Sequence, residues 1–132
     1  MIRVLQGIDV VPVERVRDLG ARHPSFLDDV FSEEERAYCL AQADPYVSFA
    51  GRFAAKEAAA KALGSGISGI TAGGGLGEIE VARRPSGRPE LALSGWAARV
   101  ARVRGVTGSS VSISHSAGFA VAAVVLVAGG EG

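Results

Sequence analysis

The chain is expected to fold as α+β, with a small, mostly antiparallel sheet packed against one long central helix. Three observations point there. Apart from an opening apolar strand, helical patterns fill the first half of the chain, and strand patterns with one inserted helix fill the second. Strand and helix do not alternate in the regular way that builds a parallel sheet. Arg52 to Gly64 reads R-F-A-A-K-E-A-A-A-K-A-L-G, almost entirely strong helix formers, and supplies the core of the long helix.

Ile2 to Val11 is an apolar, β-branched run closed by Pro12 and reads as a first strand. Val13, Val16 and Leu19 then follow helical spacing between charged residues, predicting a short helix to about Ala21. Ser32 with Glu35 three residues on forms a capping box, so a second helix should run from Glu33 to about Ala43. The long helix follows from Pro45 to Leu63, with Asp44 as its cap, Pro45 in its first turn and Gly64 as its stop. Gly64 to Gly77 holds seven glycines in fourteen residues and reads as loop.

Glu78 to Arg83 alternates Ile79 and Val81 with charged residues, which marks a half-buried strand. The turn residues Arg84 to Pro89 lead to a returning strand with Leu91 and Leu93. Ser94 is placed to cap a helix to about Arg104, with Trp96, Val100 and Val103 on its inner face. Ser109 to Ser116 alternates serine with Val111, Ile113 and His115, and Ala117-Gly118 turns it into a hairpin with Phe119 to Val127. The 132 residues predict one domain, 1–132, with no internal repeat or linker.

Composition excludes several function classes. Fourteen basic and fourteen acidic residues balance, so no global field of a nucleic-acid binder exists, and a polyanion must be held by local groups. Cys39 is the one cysteine, which rules out an internal disulfide and fits a reducing cytoplasm. Arg3 and Asp9 interrupt any signal-peptide core, and the apolar run Phe119 to Ala128 is about half a membrane span. No membrane association is expected.

Chemistry concentrates on the long helix. At about 100° per residue, Phe49, Phe53, Lys56, Ala60 and Leu63 share one face, with Glu57 and Lys61 at its edge. Charges there require partners. Either a buried ion-pair network or a site for a metal and phosphates satisfies that requirement. Asp9, inside an apolar strand, is an edge carboxylate bonded to an amide or arginine, or else a ligand for a hard cation. Glu57 with Lys61 four residues on is a helix-surface pair, or else a carboxylate and a phosphate-binding lysine, with Arg52 and Lys56 adding positive charge. His115 reads by default as a hydrogen-bonded core histidine. Arg15, Arg17 and Arg22 form a basic first helix that is solvated or meets an acidic partner.

In order and spacing, five pieces resemble a known family. They are Gly7-Ile8-Asp9, the Arg52 to Gly64 run continued by Ser65-Gly66-Ile67, the I-E-V strand at Ile79 to Val81, Gly87 to Pro89, and Val111 to Ser116. Together they are similar to the holo-acyl-carrier-protein synthases, the small single-domain 4′-phosphopantetheinyl transferases. The F-x-x-K-E-A-x-x-K-A element at Phe53 to Ala62 is the most specific.

The resemblance implies transfer of phosphopantetheine from coenzyme A to a serine of an apo acyl carrier protein, releasing adenosine 3′,5′-bisphosphate. By position it implies Asp9 and Glu57 as magnesium ligands and Lys61 as the catalytic lysine on the attacked phosphate. It places Arg52, Lys56, Gly64 and His115 at the coenzyme, and Arg15 at the docked carrier protein. The general base would be a carboxylate-bound water or Glu57 itself. The expected assembly is a homotrimer with sites between subunits. Two departures stand out: the Gly73 to Gly77 stretch replaces an aromatic common in relatives, and Val11 removes the second acid of the D-x-E arrangement found in larger transferases. Rival readings are another magnesium-dependent pyrophosphate-cleaving enzyme, or a small oligomer that binds coenzyme A or a carrier without turnover.

Overall fold

The computed structural model describes residues 1–64 and 75–129. β1 (Ile2–Pro12) leads directly into α1 (Val13–Arg22), followed by the short α2 (Phe26–Val30), α3 (Glu33–Leu40) and α4 (Pro45–Leu63). A 3-10 turn at Leu76–Glu78 opens β2 (Ile79–Arg83), which pairs with β3 (Pro89–Leu93). Then come α5 (Gly95–Val103), β4 (Val106–Ser116) and β5 (Phe119–Gly129). β5 lies centrally between β1 and β4 in an antiparallel three-stranded sheet, and β2–β3 forms a separate two-stranded one. The α+β expectation holds, with the long helix lying across β1 and β5.

Alanine explains how closely that helix lies. Ala54, Ala55, Ala58, Ala59, Ala60 and Ala62 are all buried, so α4 is enclosed on nearly every side and has no solvent face of alanines. It meets Ala120, Ala122, Val124 and Leu126, the inward alternation of β5. At Gly7 the approach is closest, because a Cβ there would overlap the Ala58 carbonyl. The far side of the sheet is open, with Val4, Ile8 and Val10 of β1 between 53 and 61% exposed. Among the described residues, no helix is long and apolar enough to cross a membrane.

Local signals worked where a capping atom or turn residue sets the geometry. Ser32 and Glu35 make both bonds of the capping box, and Asp44 accepts from the Tyr46 amide at 3.2 Å. Gly64 ends α4 in the left-handed conformation at φ 81°. Ala117 and Gly118 both take positive φ in the β4–β5 turn.

Several expectations need correction. Ser94 makes no capping bond; the Glu78 carboxylate accepts the Trp96 amide at 2.6 Å and caps α5 in its place. Val103 is 86% exposed, and Ala97 and Ala101 join Trp96 on the inner face. α3 stops at Leu40 rather than Ala43, and β4 begins at Val106, three residues before Ser109, through a register shift that alternation hides. α2 and the 3-10 turn are too short to show periodicity. Most of the expected Gly64 to Gly77 loop, with Ser65-Gly66-Ile67, lies outside the described residues.

Candidate functional site

Two regions flank α4, and each gathers charge. The first lies where α4 crosses β1. Leu5, Gly7, Asp9 and Val11 form the inward alternation of β1, so the strand that gives up a Cβ at Gly7 aims Asp9 at the helix two residues later. Lys61 Nζ donates to Asp9 Oδ1 at 2.8 Å and to the Ile8 carbonyl at 3.0 Å. The Asp9 side chain is 18% exposed and that of Lys61 52%.

Glu57 sits one turn before Lys61 and is half-buried. Burial pushes its carboxyl above the ordinary glutamate range, and the Asp9 charge pushes it further. Arg15 and Lys61 pull it back down. Two carboxylates, a lysine and an arginine from β1, α1 and α4 therefore share one field. Mutual repulsion of Asp9 and Glu57 is the condition a cation relieves, and one or two carboxylates completed by substrate phosphates and water is the usual magnesium arrangement. No cluster of three or more potential metal-binding side chains occurs among the described residues.

The second region is a cleft of about 480 Å³ bordered by α3, α4, the β2–β3 hairpin and the end of β4. Its walls include Tyr38, Arg52, Arg83, Pro89 and His115. The volume is within the range of small-molecule sites. Tyr38 carries two guanidinium groups, with Arg52 and Arg83 each 4.2 Å from its ring centroid. Arg52 is 7% exposed, and its Nε is buried without a partner. Its Nη1 reaches Ser48 Oγ at 3.4 Å. A buried guanidinium with an unused donor beside a cleft suits an anion. His115 is exposed at this cleft and is not a core histidine.

Lys56 lies between the two regions and enters neither. It is completely buried and bonded to Glu35 Oε1 at 2.8 Å, with the Leu76 carbonyl at 3.3 Å and the Ile79 carbonyl also accepting. Burial lowers its pKa, and Glu35 raises it again. The expected coenzyme contact of Lys56 has no open face, because protein atoms take its protons. Gly64 serves as the α4 stop, beside Arg104, which donates to the Leu63 carbonyl at 2.7 Å. Arg15 is exposed on α1 and close enough to act on Glu57.

Sequence reasoning missed Tyr38, Arg83 and the second role of Glu35. Tyr38 follows Glu35 by three residues on α3, a spacing that puts both on one face. Nothing local marked Arg83, which depends on the hairpin crossing to Tyr38.

Comparison with known proteins identifies the family and the fold. The family model for the 4′-phosphopantetheinyl transferase superfamily matches residues 6–124. The chain is 33% identical over 128 residues to the holo-[acyl-carrier-protein] synthase of Caldanaerobacter subterraneus, covering 97% of this chain and 98% of that one. It is 45% identical to that of Anaeromyxobacter sp. (strain K), covering 91 and 92%. The solved coenzyme A complex of the Chronobacterium ammoniagenes synthase superposes with a TM-score of 0.83 at 31% identity, covering 96 and 98%. The chain belongs to the 4′-phosphopantetheinyl transferase superfamily, in its holo-acyl-carrier-protein synthase family.

Proposed function

We propose that residues 1–132 act as one domain that moves 4′-phosphopantetheine from coenzyme A to a serine of an apo acyl carrier protein. Family membership supports an enzyme with coenzyme A and carrier protein as substrates. The finer reading is that the reaction needs magnesium and leaves adenosine 3′,5′-bisphosphate. The convergence of Asp9, Glu57 and Lys61 where β1 meets α4 carries it.

Asp9 and Glu57 would hold the magnesium ion, which supplies neutralisation of pyrophosphate charge. Lys61 leaves Asp9 to meet the phosphate under attack and stabilises the negative charge that passes to the departing nucleotide. Arg52, with its spare Nε, and His115 hold the nucleotide end in the cleft. No protein nucleophile is required, since phosphoryl transfer is mainly positioning and charge neutralisation. Arg15 meets the acidic carrier beside the metal carboxylates.

The open apolar face of β1 supports association with further copies, which we read as a homotrimer with sites completed between subunits, and the single cysteine fits a cytoplasmic protein. Mass spectrometry of an apo carrier incubated with the protein, magnesium and coenzyme A tests the activity. A phosphopantetheine adduct is expected; no adduct on any of several carriers overturns it.

A further inference from the structure

The buried pair Lys56–Glu35 does more than fill the core. Glu35 Oε1 accepts from Lys56 Nζ and from the Ser32 amide, both at 2.8 Å, and Oε2 accepts from the Val81 amide at 2.9 Å. Lys56 in turn donates to the carbonyls of Leu76 and Ile79. One ion pair therefore ties together α3, α4 and β2, and it satisfies an amide on the open edge of a two-stranded sheet.

Each tied element also sends one side chain to the stack at the cleft. Tyr38 lies three residues after Glu35, Arg52 four before Lys56, and Arg83 two after Val81. On helices and strands these offsets keep residues on one face. The stack holds only if the three elements keep their mutual height and rotation, because each guanidinium must stay over the same ring. Apolar packing tolerates slippage between elements, whereas a saturated set of hydrogen bonds does not.

We propose that Lys56 and Glu35 are positioning residues that set the Arg52–Tyr38–Arg83 stack, and through it the affinity for the anionic nucleotide end of coenzyme A. This rests on the cleft being the coenzyme site. Lys56→Met alone leaves Glu35 charged and unpaired in the core, and can unfold the protein. The combined variant Lys56→Met with Glu35→Gln buries no charge and keeps an oxygen acceptor for the Val81 amide, while the Ser32 amide and the Leu76 and Ile79 carbonyls lose the partners they had.

Calorimetry with coenzyme A, thermal melts and steady-state kinetics are measured together. The combined variant should melt cooperatively, bind coenzyme A at least about ten-fold more weakly, and keep its carrier KM within about two-fold. A folded variant with unchanged coenzyme affinity overturns the proposal. On the unaltered protein, coenzyme A should slow hydrogen exchange of the Val81 amide, because coupling between pair and cleft is reciprocal. Unchanged exchange with coenzyme bound overturns it independently of any variant's folding. Failure of the unaltered protein to bind coenzyme A would instead overturn the cleft assignment itself.

Discussion

Two lysines five residues apart on α4 each hold a carboxylate at 2.8 Å, and they do opposite things. Lys56 and Glu35 have side chains with no solvent exposure, and protein groups use every proton and both oxygens. Lys61 is half-exposed, and its pair with Asp9 lies beside Glu57. Distance alone does not separate a structural pair from a functional one. The surroundings do: a saturated pair in a low dielectric holds its geometry, while a hydrated pair with an under-compensated carboxylate beside it exchanges partners at little cost.

That contrast breaks most visibly at the carboxylates proposed to hold magnesium. Glu57→Ala should lower transfer roughly 10³-fold or more with its melting temperature nearly unchanged, since several kcal/mol of charge stabilisation leaves with the ligand. Carrier mass gain against time measures it, and full activity would remove Glu57 from the site. Lys56→Met should behave the other way, losing about 3–5 kcal/mol of stability in urea titration because a buried carboxylate stays unpaired. A loss below about 1 kcal/mol would make the two lysines alike.

Lys61→Met should change stability by about 1 kcal/mol or less. Without coenzyme it should bind manganese about five-fold more tightly by paramagnetic resonance, because Asp9 no longer has an internal cation to surrender. Weaker metal binding would show that Lys61 does not compete for Asp9.

The smallest effect concerns pH. Folding raises the Glu57 pKa, so between the unfolded and folded values the native state binds more protons and stability falls as pH rises. In metal-free buffer Glu57→Gln should therefore melt above the unaltered protein at pH 7, and the two should converge below the ordinary glutamate pKa. Parallel curves across that range would contradict the shift.

The sequence exposes these two regions unequally. Residues whose role follows from local spacing were readable: the Ser32–Glu35 box, the full span of α4, and Glu57 with Lys61 on the helix edge. Asp9 was readable because a carboxylate in an apolar strand demands an explanation. What stayed hidden depends on non-local crossing. Spacing showed that Lys56 needed a partner, but Glu35 is 21 residues away on another helix. Arg83 and Tyr38 meet only because β2 docks on α3. Val103 matched helical spacing yet faces outward, since α5 buries its small residues against the body of the protein.

Gly7 carries a consequence of its own. The carboxylate and lysine of the exposed pair belong to a strand and a helix brought together by the lack of a single methyl group, opposite Ala58. Position 7 is thus screened by bulk and not by reactivity. Among randomised variants retained only for correct folding, glycine should persist there even after Asp9 and Lys61 have both been replaced. The scaffold would outlast the chemistry it was shaped around.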